Sequence, residues 1–98
     1  MADLSDKAQA LLEAQRTRYL ASFGEKAANL RNLWKTRGES DGLELIDAVH
    51  RIAGSAGLHG QDEVRQLAAQ CEQVLKDSEA EADAQRQALA ALVKRLEA

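Results

Sequence analysis

Proline is missing from the 98 residues, and the aromatics are down to one tryptophan, one tyrosine and one phenylalanine. With no proline to remove an amide donor and few aromatics to furnish a sheet, helix is favoured over strand. The single cysteine, Cys71, cannot close an internal disulfide, and no second thiol is present to make a CxxC or structural zinc site. No apolar run approaches the roughly 20 residues that a membrane span requires. The opening MADLSDKAQALLEAQR carries acidic residues where a signal peptide carries basic ones, which predicts a cytoplasmic location. Charge of one sign is lacking too: 13 basic and 16 acidic residues are interspersed and leave a net charge of −3. That pattern forms neither a basic stripe for nucleic acid nor a basic amphipathic helix for a membrane surface.

What is present is Ala, Leu, Glu, Gln, Lys and Arg in quantity, the residues that lose least on entering a helix. The length suits one domain, 1–98, with one core. A domain of this size buries only about 60–65% of the surface its unfolded chain exposes, so surface chemistry is expected rather than a deep substrate cavity. Val64, Leu67, Ala68, Cys71, Val74 and Leu75 recur at three-four spacing, as do Ala82, Ala88, Leu89, Leu92, Val93 and Leu96, and each set predicts an amphipathic helix. In the first third, Ala8, Leu11, Leu12, Tyr19, Phe23, Ala27, Leu30, Leu33 and Trp34 fit one long helix or two shorter ones.

Turn chemistry divides these stretches. Ser22 and Glu25 have capping-box spacing, with Gly24 between them, and predict a break near Ser22. In Thr36-Arg37-Gly38-Glu39-Ser40-Asp41-Gly42, a glycine can end one helix and Ser40 or Asp41 can cap the next. Ser78 stands three residues before Glu81, which predicts that the last helix begins there. The expected fold is all-α: an antiparallel up-and-down four-helix bundle with an additional short N-terminal helix.

The segment 41–58, DGLELIDAVHRIAGSAGL, is the unusual one. As a helix it places Leu45, Val49, Ile52 and Ala56 on one core-facing arc and His50 on the flank of that arc. Each interior glycine costs a helix about 1 kcal/mol relative to alanine, so Gly54 and Gly57 need a reason. Both project on the side of His50, one and two turns beyond it, and leave the imidazole without a steric collar. An uncrowded imidazole on a rigid element is a nucleophile that another protein's active site can close over. An ordinary imidazole titrates near about pH 6.5, so much of it is neutral in the cytoplasm without a dedicated base.

The run His50-Arg51-Ile52-Ala53-Gly54-Ser55-Ala56-Gly57-Leu58-His59-Gly60 resembles the signature of histidine phosphotransfer (HPt) domains. The resemblance continues in register through Val64, Leu67 and Cys71, and more loosely upstream through Arg18-Tyr19-Leu20 and Leu30. It implies a four-helix bundle whose histidine, here His50, takes a phosphoryl group on its ε2 nitrogen from a receiver-domain phospho-aspartate and passes it to another receiver. It also implies a glutamine or glutamate on the neighbouring helix bonded to the δ1 nitrogen. In ungapped register that residue is Glu72, with Gln70 and Gln73 close by. Many members carry a lysine three residues after the histidine, where this chain has Ala53, which shifts phosphoryl stabilisation toward the partner's own lysine and Mg²⁺. Arg51 projects about 100° from His50 around the helix and takes a supporting role.

The expected partners are the receiver domain of a response regulator, a hybrid histidine kinase, or both, bound by a monomer that needs no cofactor of its own. Neither nucleic acid nor membrane is expected. Other residues take structural readings: His59 as a helix-end residue, Ser55 bonded within its helix or to a facing one, Cys71 as a buried small hydrophobe. Tyr19, Phe23 and Trp34 read as core or partner-groove residues, and Asp47 as a solvated charge at the edge of the docking face. Two readings compete. A helical adaptor that never carries phosphate would leave His50 dispensable, and a histidine-kinase dimerisation fragment would need a dimer interface and an ATP-binding domain, for which the chain has no nucleotide loop.

Overall fold

The three-four apolar stripes fold into helices, and the link lengths decide how those helices meet. The computed structural model describes residues 4–39 and 42–98. Among them run α1 (Leu4–Ala21), α2 (Phe23–Thr36), a 3₁₀ turn (Arg37–Glu39), α3 (Leu43–Leu58), α4 (Asp62–Lys76) and α5 (Ala82–Glu97), with no strand. The result is an all-helical bundle. Helix α3 packs most extensively on α4, α4 on α5, and α2 against both α5 and α3, so four helices enclose one core.

The core takes one stripe from each. Phe23, Ala27 and Leu30 come from α2, Leu45, Val49, Ile52 and Ala56 from α3, Val64, Ala68 and Cys71 from α4, and Leu89, Leu92, Val93 and Leu96 from α5. All are buried, and no polar or charged residue is buried with them among the described residues. Close packing of such side chains is the main source of stability, since burying a Leu or Val contributes about 1.5–3 kcal/mol.

The N-terminal helix departs from expectation. It has 18 residues and is not short. Because α2 to α5 already enclose the core, only its C-terminal end finds apolar surface, through Tyr19. Ala8 is exposed, and Leu11 and Leu12 remain 65% and 63% exposed rather than packed. A helix of this length is about 27 Å long, which accounts for much of the 59 Å long axis of a molecule only 22 × 20 Å across.

Three helix ends are made differently from their sequence signals. The break at Ser22 is present, but without a forward cap: its hydroxyl donates back to the Tyr19 carbonyl at 2.5 Å and accepts from Lys26 Nζ at 2.6 Å. Gly38 lies inside the 3₁₀ turn, and the position before α3 is Gly42 at φ 75°. Ser40 and Asp41, the expected caps, fall outside the described residues. Helix α5 begins at Ala82, after Asp77 has folded the chain by accepting from the Glu79 amide at 2.9 Å, so the Ser78–Glu81 box does not form.

Candidate functional site

Two glycines in the left-handed region bracket the helix that carries His50. Gly42 turns the chain into α3, and Gly60, at φ 69°, turns it out. At the second end the Gly60 amide donates to the Gly57 carbonyl at 3.3 Å and the Gln61 amide to the Ala56 carbonyl at 2.8 Å. This paired closure is the Schellman arrangement, which satisfies carbonyls the helix end leaves free and requires positive φ at its glycine. The chain then reverses within three residues, and α4 runs back along α3. That return brings Glu72 beside His50.

The His50 side chain is 69% exposed, whereas that of Glu72 is 14% exposed. His50 Nδ1 lies 2.9 and 3.1 Å from the two carboxylate oxygens of Glu72. An ionised carboxylate has no hydrogen to give, so Nδ1 carries the proton and donates. In the neutral ring Nε2 is then left with its lone pair, on the exposed side chain. Lys76 Nζ reaches Glu72 Oε2 at 2.7 Å from one turn further along α4. Hydrogen bonds from Lys76 first and His50 second hold the Glu72 carboxyl below the usual carboxylate range, against the opposing effect of burial.

The glycines beside His50 separate in role. A Cβ built at Gly54 would meet nothing within 4 Å, so no facing helix requires this glycine. One built at Gly57 would meet the Arg65 side chain at 3.2 Å, a flexible neighbour. What Gly54 leaves is open surface next to the imidazole. Arg51 is tied to Asp47 at 2.9 Å on their own helix and does not bond His50. Ala53, three residues after His50, is half-buried against the core.

The second histidine belongs to a structural cluster. His59 caps α3, donates from Nδ1 to the Ser55 carbonyl at 2.8 Å, and stacks on Tyr19 with ring centroids 4.0 Å apart. Ser55 Oγ lies 2.9 Å from the Tyr19 hydroxyl and donates to the Ile52 carbonyl at 3.3 Å. These contacts fasten α1 to the bundle. Cys71 is fully buried, and burial pushes its thiol up to about 12. Trp34 is half-buried in a groove of about 710 Å³ between α2 and α5, which no α3 residue lines. Among the described residues no group of three or more His, Cys, Asp or Glu is placed to hold a metal ion, and no helix is long and apolar enough to cross a membrane.

Lys76 is the site residue that the sequence reading missed. Its signal was present: Glu72 and Lys76 stand four apart with the acid on the N-terminal side, the favourable order for a helical ion pair.

Fold and site together give a helical bundle that displays one exposed histidine oriented by a carboxylate. The chain belongs to the Hpt domain family, whose model matches residues 14–98. It is accordingly a histidine phosphotransfer module of phosphorelays, a phosphocarrier of the kind that works with receiver domains. No curated protein and no solved structure matches the chain.

Proposed function

We propose that Nε2 of His50 accepts a phosphoryl group from the phospho-aspartate of one receiver domain and delivers it to another, with a response regulator or hybrid histidine kinase as partner. The reading rests above all on the ring itself: Nδ1 is occupied by Glu72 while the side chain is 69% exposed. In the first transfer the Nε2 lone pair forms a bond to phosphorus as the bond from phosphorus to the aspartyl oxygen breaks, its electron pair leaving with the carboxylate. Nδ1 keeps its proton, so the phosphorylated ring is a cation lying against the Glu72 anion. Delivery to a second receiver reverses these steps.

The chain offers position and access, and the receiver supplies the acidic residues and Mg²⁺ that stabilise the transferring phosphoryl group. No resident cofactor is proposed. Docking is transient and small, below about 1,200 Å², over the bare surface at Gly54. Leu43 and Leu58, both exposed, stand about two turns to either side of His50 along α3 and supply apolar contact. In this reading α2 to α5 form an antiparallel up-and-down four-helix bundle with α1 as an additional N-terminal helix. Residues 1–98 make one domain, acting as a monomer in the cytoplasm.

The test is incubation of the protein with a set of phosphorylated receivers while the label is followed. Transfer to the wild type and none to His50→Gln is expected. An unlabelled wild type that still binds its partner would replace this account with that of an adaptor.

A further inference from the structure

The imidazole contacts a carboxylate, and a carboxylate alone does two things to it. It fixes the ring with Nδ1 protonated, which frees Nε2, and it favours a second proton on the ring, which would consume the lone pair. The first effect helps transfer and the second opposes it. Lys76 bears on both, because its Nζ lies 2.7 Å from the same Oε2 that His50 Nδ1 meets at 2.9 Å.

We propose that Lys76 is a positioning residue for phosphotransfer: by pairing with Glu72 it pins the carboxylate against Nδ1 and offsets its charge, so that the ring is oriented without being held as imidazolium. This rests on the reading of His50 as phosphoryl acceptor. The cation bonded into the site thus comes from α4, one turn beyond Glu72, and not from α3, where position 53 is alanine.

Other charged groups do not take this part. On α3, Asp47 and Arg51 pair with each other. From α2, Lys26 is held by Ser22, Arg31 by Glu97, and Lys35 lines the groove against α5; Arg37 of the 3₁₀ turn lies over the Trp34 ring. On α4, Glu63 pairs with Arg95 of α5 at 3.1 Å, and the Arg65 side chain lies against Gly57. Glu72 and Lys76 are the charged groups bonded into the site among the described residues. The depressed titration of Glu72, with Lys76 as its largest cause, accords with a carboxylate kept ionised by this partner.

A lysine in the last turn of a helix also complements the helix dipole, so stability alone is not a sufficient readout. The experiment compares wild type, Lys76→Met, Lys76→Arg, Glu72→Gln and the double variant Glu72→Gln/Lys76→Met. Two quantities are read: the His50 ring tautomer by proton–nitrogen NMR, and the rate of His50 phosphorylation by phosphoramidate against pH. Lys76→Met keeps the aliphatic stem and removes the charge. It is expected to move the midpoint of the rate–pH profile upward by about half a unit and so to slow the reaction about three-fold on the acid side of that midpoint, with recovery at higher pH. Lys76→Arg should restore most of the rate, and the Lys76→Met effect should vanish in the Glu72→Gln background, because the lysine acts through the carboxylate.

An unchanged tautomer and profile in Lys76→Met, or an equal effect with and without Glu72, would overturn the proposal. A wild type that neither phosphoramidate nor a phosphorylated receiver modifies at His50 would instead remove the phosphotransfer reading. The tautomer comparison would still decide the role of Lys76.

Discussion

At the scale of single residues, the site is a contrast between an exposed ring and a sheltered carboxylate. Glu72 can orient His50 because it is itself held, by α4 and by Lys76 at 2.7 Å. Its lowered titration has a consequence for stability. A carboxyl whose folded pKa lies below its unfolded value stabilises the fold above the unfolded pKa, and that contribution is lost as pH falls through the folded one. Denaturant unfolding of wild type and Glu72→Gln should therefore differ at pH 7, with wild type the more stable. The gap should close as the pH is taken below the usual carboxylate range. A gap that stayed constant with pH would mean that the carboxylate charge contributes nothing and that only packing was changed.

At the scale of elements, α3 combines a closed core face with an open flank, and Gly54 is where the two demands separate. Since a Cβ there meets nothing within 4 Å, Gly54→Ala should raise stability by about 0.5–1 kcal/mol through the helix propensity of alanine. Gly54→Leu, equally free of internal clash, should lower transfer from a receiver about ten-fold, the equivalent of about 1.4 kcal/mol of docking. Its effect on phosphorylation by small phosphoramidate should be far weaker. If Gly54→Leu transferred from receivers as fast as wild type, the open flank would not be the docking surface. The helices and their core faces were legible from periodicity because three-four spacing is what buries a stripe: Val49, Ile52, Ala68 and Leu92 are buried as expected. Helix ends were less legible. Side-chain capping competes with backbone closure, and at Ser22 and Asp77 a backward hydroxyl bond and an aspartate-directed turn took the place of the expected boxes. His50 and Glu72 could be brought together only by registering one helix on another. The part of Lys76 was not legible, because a surface i,i+4 pair ordinarily does nothing beyond its own helix.

At the scale of the molecule, one bundle presents the His50 side chain, and in the proposed reading the rest of the structure serves to position it. The fully buried Leu30, Leu45, Val49, Val64 and Leu92 tie α2, α3, α4 and α5 into a single body, which sets helix α3 with His50 beside α4 with Glu72. Helix α1, joined mainly through Tyr19, Ser55 and His59, stands apart from that body. The resemblance to HPt domains and the family match over residues 14–98 agree on what such a body carries. The central claim, that His50 accepts the phosphoryl group on Nε2, is tested most directly by phosphorylating the protein and locating the phosphorus with proton–nitrogen–phosphorus NMR. The account predicts a single modified ring, His50, with phosphorus on Nε2 and a proton remaining on Nδ1. Phosphorus on Nδ1 of His50, or on His59 in its place, would contradict it.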